Sequence, residues 1–144
     1  MKNILVTIDF SDLTTDVIAH AAAIATAFGG ELHLLHVAEP DPDFVGYDAG
    51  PQSTRDAVAE RLREQHRKLQ TLAEQQRSAG IGCEALLVQG AYVQKIIAES
   101  EKLKADLIVT GAHGKGLLSR VLLGSVSEGV LRESKVPVLV VPAR

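Results

Sequence analysis

The sequence predicts an α/β domain with a five-stranded, mainly parallel open sheet in the order 3-2-1-4-5 and helices on both faces. Three observations predict the α/β class and the parallel sheet. Short β-branched apolar runs alternate with amphipathic helical stretches, the runs are apolar on both sides, and glycines or capping residues mark the changeovers. Strands covered on both faces by helices require such two-sided apolar runs, and right-handed crossovers follow from the alternation. The 144 residues suit one domain, taken as 1–144.

Residues 3–8 read as the first strand, stopped by Asp9-Phe10-Ser11-Asp12, where Ser11 or Asp12 is placed to cap a helix over 13–28. Val17, Ala21, Ile24 and Phe28 share one face of that helix, and Gly29-Gly30 ends it. Residues 31–37 form the second strand. The stretch 39–53 holds three prolines, two glycines and several aspartates, which favours a long connection over a regular element. Helical periodicity returns over 54–79 through Val58, Leu62, Leu69 and Leu72, with six basic and four acidic residues forming a solvated face. Gly80 and Gly82 close it. A strand over 83–88, a helix over 91–103 on Val93, Ile96, Ile97 and Leu103, and a strand over 106–110 continue the alternation. A helix over 125–134 and a strand over 136–141, with Pro137 and Pro142 near its ends, complete it.

Composition excludes several functions. Fifteen basic against eighteen acidic residues leave a net charge of −3, so no broad positive field attracts a nucleic-acid backbone or an anionic membrane. Aromatics make up 3% with no Trp, which removes the stacking platform that single-stranded nucleic acid requires. Cys83 is the only cysteine, so an intramolecular disulfide or a cysteine-based zinc cage is impossible, and it reads as a small buried hydrophobe. No stretch approaches the ~20 apolar residues of a membrane span, and the opening apolar run is cut by Asp9 as no secretory leader would be. The expected location is the cytoplasm.

Ligands of open α/β sheets bind beyond the carboxyl ends of the strands, where the strand order reverses. With the order 3-2-1-4-5 this lies between strands one and four, which end at Asp9 and Gly111. After strand four comes Gly111-Ala112-His113-Gly114-Lys115-Gly116, and further on Gly124-Ser125-Val126-Ser127-Glu128. Glycines let a backbone approach a ligand with its N–H groups turned toward one anion, and Lys115 adds a positive charge. Ser125 and Glu128 have capping-box spacing, so a helix start is expected there, its free N–H groups suited to phosphate. The segment is neither a Walker A loop, since Lys115 precedes Gly116, nor a G-x-G-x-x-G turn.

The spacing Gly111-x2-Gly114-x9-Gly124-Ser125 resembles the nucleotide-binding signature of the universal stress protein family. The resemblance extends from Ile4-Leu5-Val6 through Asp9-Phe10-Ser11 and Leu35-His36-Val37 to the terminal Val136-Pro137-Val138-Leu139-Val140-Val141. It implies a Rossmann-like, adenine nucleotide alpha hydrolase-like fold that binds ATP, with ADP or AMP as further ligands, and a homodimer formed through the final strand. By the same resemblance, Thr7 and Val37 border the adenine, and Asp9 approaches the ribose or a Mg or Mn ion on the phosphates. Gly111, His113, Gly114, Lys115 and Gly116 surround the ribose and phosphates, and Gly124, Ser125, Val126 and Ser127 complete the cradle. Ala112 stands where many relatives carry Ser or Thr, which removes a hydroxyl contact and leaves the backbone donors.

Competing readings of single residues carry less weight. His33 and His36 resemble a zinc pair, but an odd separation on a strand sends them to opposite faces. His20 and His66 read as structural or solvated. His113 has no nucleophile evident beside it, so it reads as a hydrogen-bonding group. Asp9 has a plain role as a carboxylate that caps the helix after its strand. The expected function is that of a nucleotide-dependent regulatory module in the stress response. Its nucleotide state alters the loop 112–118 and a surface read by a regulated protein partner. The alternative is a slow metal-dependent ATPase or nucleotidyl-transferring enzyme in the same pocket, which would normally need a second carboxylate or a water-orienting residue. The final strand is short, strongly β-forming and at an edge, which a second copy would cover.

Overall fold

The computed structural model describes residues 1–38, 52–112 and 124–143, with only the backbone described for 52–54. Its elements are β1 (Asn3–Thr7), α1 (Thr14–Phe28), β2 (Glu31–Ala38), α2 (Gln52–Ser78), β3 (Cys83–Gln89), α3 (Tyr92–Lys102), β4 (Leu107–Gly111), α4 (Ser125–Glu133) and β5 (Val138–Val141). The sheet order is β3-β2-β1-β4-β5, the expected one, and every pairing is parallel, as the alternation predicts.

The two-residue period of the strands sorts the core into two layers. Ile4, Val6, Leu32, Leu34, Leu107 and Val109 face α1 and α2, meeting Val17, Ile18, Ala21, Leu69 and Ala73. Leu5, Leu35, Val37 and Ile108 face the other way and meet Ile96 of α3 and Val130 of α4. Large side chains among the described residues, including Ile4, Leu5, Leu32, Leu35 and Ile108, are fully buried. Each stabilises the fold by about 1.5–3 kcal/mol relative to exposure. The central β1 is thereby clamped from both sides, and its carboxyl end becomes a rigid place to mount a site.

Helix ends follow local chemistry. Gly29 ends α1 at φ 69°, with its N–H donating to the Ala25 carbonyl, as a left-handed C-terminal glycine should. The amino end of α1 differs from expectation. Neither Ser11 nor Asp12 caps it; the capping position is Leu13, with no side-chain cap bond. Helix α2 begins at Gln52, so the connection expected over 39–53 overruns the helix by two residues; 39–51 lie outside the described residues. Val136 precedes β5 rather than opening it, because the Ser134 hydroxyl both accepts the Val136 N–H and donates to the Val136 carbonyl in a local turn. Asp106 precedes β4, its carboxylate accepting the N–H groups of Lys2 and Asn3.

Candidate functional site

The sheet order brings the carboxyl ends of β1 and β4 side by side, and Thr7, the last residue of β1, meets Thr110, the penultimate residue of β4: the Thr7 hydroxyl donates to the Thr110 hydroxyl at 2.7 Å. Thr110 is buried, so this pair forms a polar floor at the switch point. Sequence reasoning singled out Thr7 but not Thr110. The pairing becomes visible only once the register sets Val6 opposite Val109.

Beyond Thr7 the chain stays attached to β2 for one more residue, the Ile8 N–H donating to the Leu35 carbonyl at 2.8 Å. It then turns. Asp9 is exposed; its Oδ1 accepts the Ser11 N–H at 2.9 Å, and the Ser11 hydroxyl accepts the Leu13 N–H at 3.3 Å. Phe10 sits at φ 60°, in the left-handed region. The buried His36 donates from Nδ1 to the Ile8 carbonyl at 2.7 Å, which fixes its tautomer because a carbonyl can only accept. Its ring lies 4.7 Å from that of Phe10, centroid to centroid. Burial lowers the His36 pKa, opposed by the Ile8 hydrogen bond and the Asp9 charge.

On the other side of the switch point, the Ala112 N–H donates to the Val141 carbonyl at 2.8 Å, and the Ala112 carbonyl accepts the Gly124 N–H at 3.0 Å. The chain that leaves β4 at 112 and returns at 124 is therefore stitched together at its base. Helix α4 starts directly beside the end of β4, and the buried Ser127 hydroxyl donates to the Gly111 carbonyl to hold it there. The first intrahelical bond of α4 runs from the Glu128 N–H to the Gly124 carbonyl. The N–H groups of Ser125, Val126 and Ser127 thus precede any acceptor in their own helix, at its positive end, where an anion gains about 0.3–1 kcal/mol from the dipole.

Two expectations change in detail here. Gly124 occupies the capping position of α4 and no side-chain cap bond forms, so Ser125 lies one residue inside the helix and the Ser125/Glu128 capping box is not made. Gly111 has a packing reason of its own: a Cβ there would lie 3.3 Å from Leu13 Cδ1 and 3.4 Å from Val17 Cγ2, so the glycine lets α1 approach β4. The Val126 side chain packs into the second core layer, which leaves its N–H as the group it can offer a ligand. Val37 is buried in the same layer near the end of β2. His113, Gly114, Lys115 and Gly116 lie outside the described residues.

The histidine readings resolve by face. His33 faces the Glu84 carboxylate and, at 3.3 Å, Asn3 Oδ1, whereas His36 faces the Ile8 carbonyl on the opposite side of β2. They do not share a ligand. His20 is exposed and bonds the Asp16 carbonyl of its own helix. No group of three His, Cys, Asp or Glu side chains among the described residues is placed to hold a metal.

The model of the universal stress protein family matches residues 1–142. The chain belongs to the universal stress protein family. Universal stress protein MJ0531 of Methanocaldococcus jannaschii is 35% identical over 144 residues, covering 97% of this chain and 81% of its own. The solved structure of protein MJ0577 superposes with a TM-score of 0.82 at 29% identity, covering 99% of this chain and 96% of that one. A universal stress protein solved in complex with cAMP is 28% identical with a TM-score of 0.66, covering 97% of this chain and 95% of its own. This chain's strand order and its stitched base at Ala112 and Gly124 frame the switch point between β1 and β4.

Proposed function

We propose that this universal stress protein binds an adenine nucleotide, ATP foremost, beyond the carboxyl ends of β1 and β4, and that it serves as a nucleotide-dependent regulatory module in the stress response. The observation that carries the reading is the Ala112 to Gly124 hydrogen bond. It sets the first turn of α4, whose N–H groups have no acceptor within their own helix, at the same end of the sheet as Asp9 and the Thr7–Thr110 pair. Phosphates suit the amides of Ser125, Val126 and Ser127. Thr7 and Val37 border the base, and the family's signature assigns Gly111, His113, Gly114, Lys115, Gly116 and Gly124 to the ribose and phosphates. A family structure with cAMP supports the nucleotide class, and ADP or AMP would use the same base site with fewer phosphate contacts.

The residues fit a Mg or Mn ion in one limited way. Asp9 is exposed, and one of its oxygens is oriented by the Ser11 N–H. It can fill one ligand position on a cation that takes its other ligands from phosphate and water, as magnesium does. The metal, when bound, neutralises phosphate charge; the protein contributes a pre-oriented carboxylate.

A nucleotide acts as a signal only if it binds two conformations unequally, and we assign that difference to the loop 112–118 and to the protein partner that reads it. A second copy pairing along β5 covers the sheet edge that β5 forms. No helix among the described residues is long and apolar enough to cross a membrane, and the cytoplasm is the location we propose. Mass spectrometry of the small molecules that accompany the purified protein tests the reading. ATP, ADP or AMP at near-stoichiometric amounts is expected; a nucleotide-free preparation that also fails to take up added ATP overturns it. Steady ADP release that is lost in Asp9→Ala would instead favour a slow ATPase.

A further inference from the structure

We propose that His36 is the positioning residue of this site, its ring gripping the chain on both sides of Asp9 through the Ile8 carbonyl and the Phe10 ring. The consequence for ligand binding rests on the nucleotide reading above; the geometry does not. Ile8 is tied to β2 twice, by its N–H to the Leu35 carbonyl and by its carbonyl to His36 Nδ1. Phe10 occupies the left-handed region, which a side chain other than glycine holds only where its surroundings over-determine it. Those surroundings are the His36 ring on β2 and Lys68 of α2, whose Nζ lies 5.9 Å from the Phe10 ring centroid. The reversal at Phe10 is what returns the Ser11 N–H to Asp9 Oδ1.

A leucine in place of His36 would fill similar space among the apolar residues of β2 but would supply no donor. Burying an imidazole in an apolar layer is costly unless it is hydrogen-bonded, and the bond to the Ile8 carbonyl offsets that cost. Here that bond acts locally: the turn carrying the exposed Asp9 carboxylate is fixed before any ligand arrives.

The test uses the full chain with His36→Leu, with His36→Asn, which keeps an N–H donor near the δ position, and with Phe10→Gly. Hydrogen exchange of the Ser11 amide reports the Asp9 contact without ligand. His36→Leu should speed it about tenfold with the core amides of Leu5 and Ile108 unchanged, and His36→Asn should stay within about threefold of the parent. The gain in ATP affinity that magnesium confers should fall in His36→Leu and persist in His36→Asn. Unchanged Ser11 exchange in His36→Leu, or equal acceleration of every amide, overturns the proposal. If His36→Leu does not fold, Phe10→Gly decides, since glycine suits the backbone angle: faster Ser11 exchange supports the proposal and unchanged exchange sinks it. A parent protein that binds no ATP would refute the nucleotide reading, while the exchange result would still judge the role of His36.

Discussion

The Ser127 hydroxyl donates to the Gly111 carbonyl, and this bond fastens the first turn of α4 to the carboxyl end of β4. Ser127 is 2% exposed, while its acceptor residue Gly111 is half-buried. Ser127→Ala should therefore destabilise the fold by about 0.5–1.5 kcal/mol, the net contribution of one hydrogen bond. Urea unfolding of both proteins measures it, and a loss below about 0.3 kcal/mol would show that the carbonyl finds another partner. The same variant should weaken ATP binding, because the amides of α4 lose their anchorage.

Helices α3 and α4 approach closely where Gly129 faces Val93: a Cβ at Gly129 would stand 2.7 Å from Val93 Cγ2. Gly129→Ala gains helix propensity of up to about 1 kcal/mol but forces that contact, and overpacking typically costs about 1–3 kcal/mol. A net destabilisation is expected. Val93→Ala in the same chain should recover part of it, and strict additivity in the double-mutant cycle would rule out the contact as the cause.

Asp106 ties the beginning of the chain to the start of β4. The N–H groups of Asn3 and then Lys2 hold its carboxyl below the usual aspartate value. A carboxylate with a depressed folded pKa contributes stability above its unfolded value, near 3.9, and loses it as pH falls through the folded value. Thermal unfolding below about pH 4 should accordingly be less steep in pH for Asp106→Asn than for the parent. Because Asp106 is exposed the difference is small, and identical acid limbs would contradict the assignment.

Burial pushes the Cys83 thiol up to about 11, against Arg77, which lowers it, with Glu84 raising it further. Thiol reagents react with the thiolate, so labelling of the native protein at neutral pH should be slow and should accelerate on unfolding. Between the ordinary thiol value and about 11, the unfolded chain releases a proton that the folded chain keeps, so this group lowers stability as pH rises through that window. Native labelling as fast as in denaturant would overturn the burial argument.

The architecture was legible because each strand is a short two-sided apolar run and each helix a periodic one, which leaves few ways to assemble them. The glycine stop at Gly29 was equally plain. Boundaries that depend on capping were not. Ser11 and Asp12 have the chemistry of a cap, yet the Asp9 carboxylate takes the Ser11 N–H and the capping position moves to Leu13. Ser125 and Glu128 have the right spacing for a capping box, but Gly124 adopts the extended capping conformation one residue earlier. The start of α2 at Gln52 was hidden by the prolines and glycines just before it.

For the site, the motif marked Gly111 and Gly124 as related without revealing that Ala112 and Gly124 are hydrogen-bonded at the base of the loop. Thr110 and His36 needed the third dimension. Thr110 matters because the register sets it beside Thr7, and His36 because β2 carries it under the Ile8 carbonyl. Neither relationship leaves a periodic trace in the sequence.

The most direct test is calorimetric titration of ATP, with magnesium, into nucleotide-free protein and its Asp9→Ala and Gly124→Val variants. Saturable binding near one ATP per chain, with affinity on the order of micromolar and clear weakening in both variants, is the predicted result. No heat of binding in the parent, or binding indifferent to both substitutions, would contradict a nucleotide site at this end of the sheet.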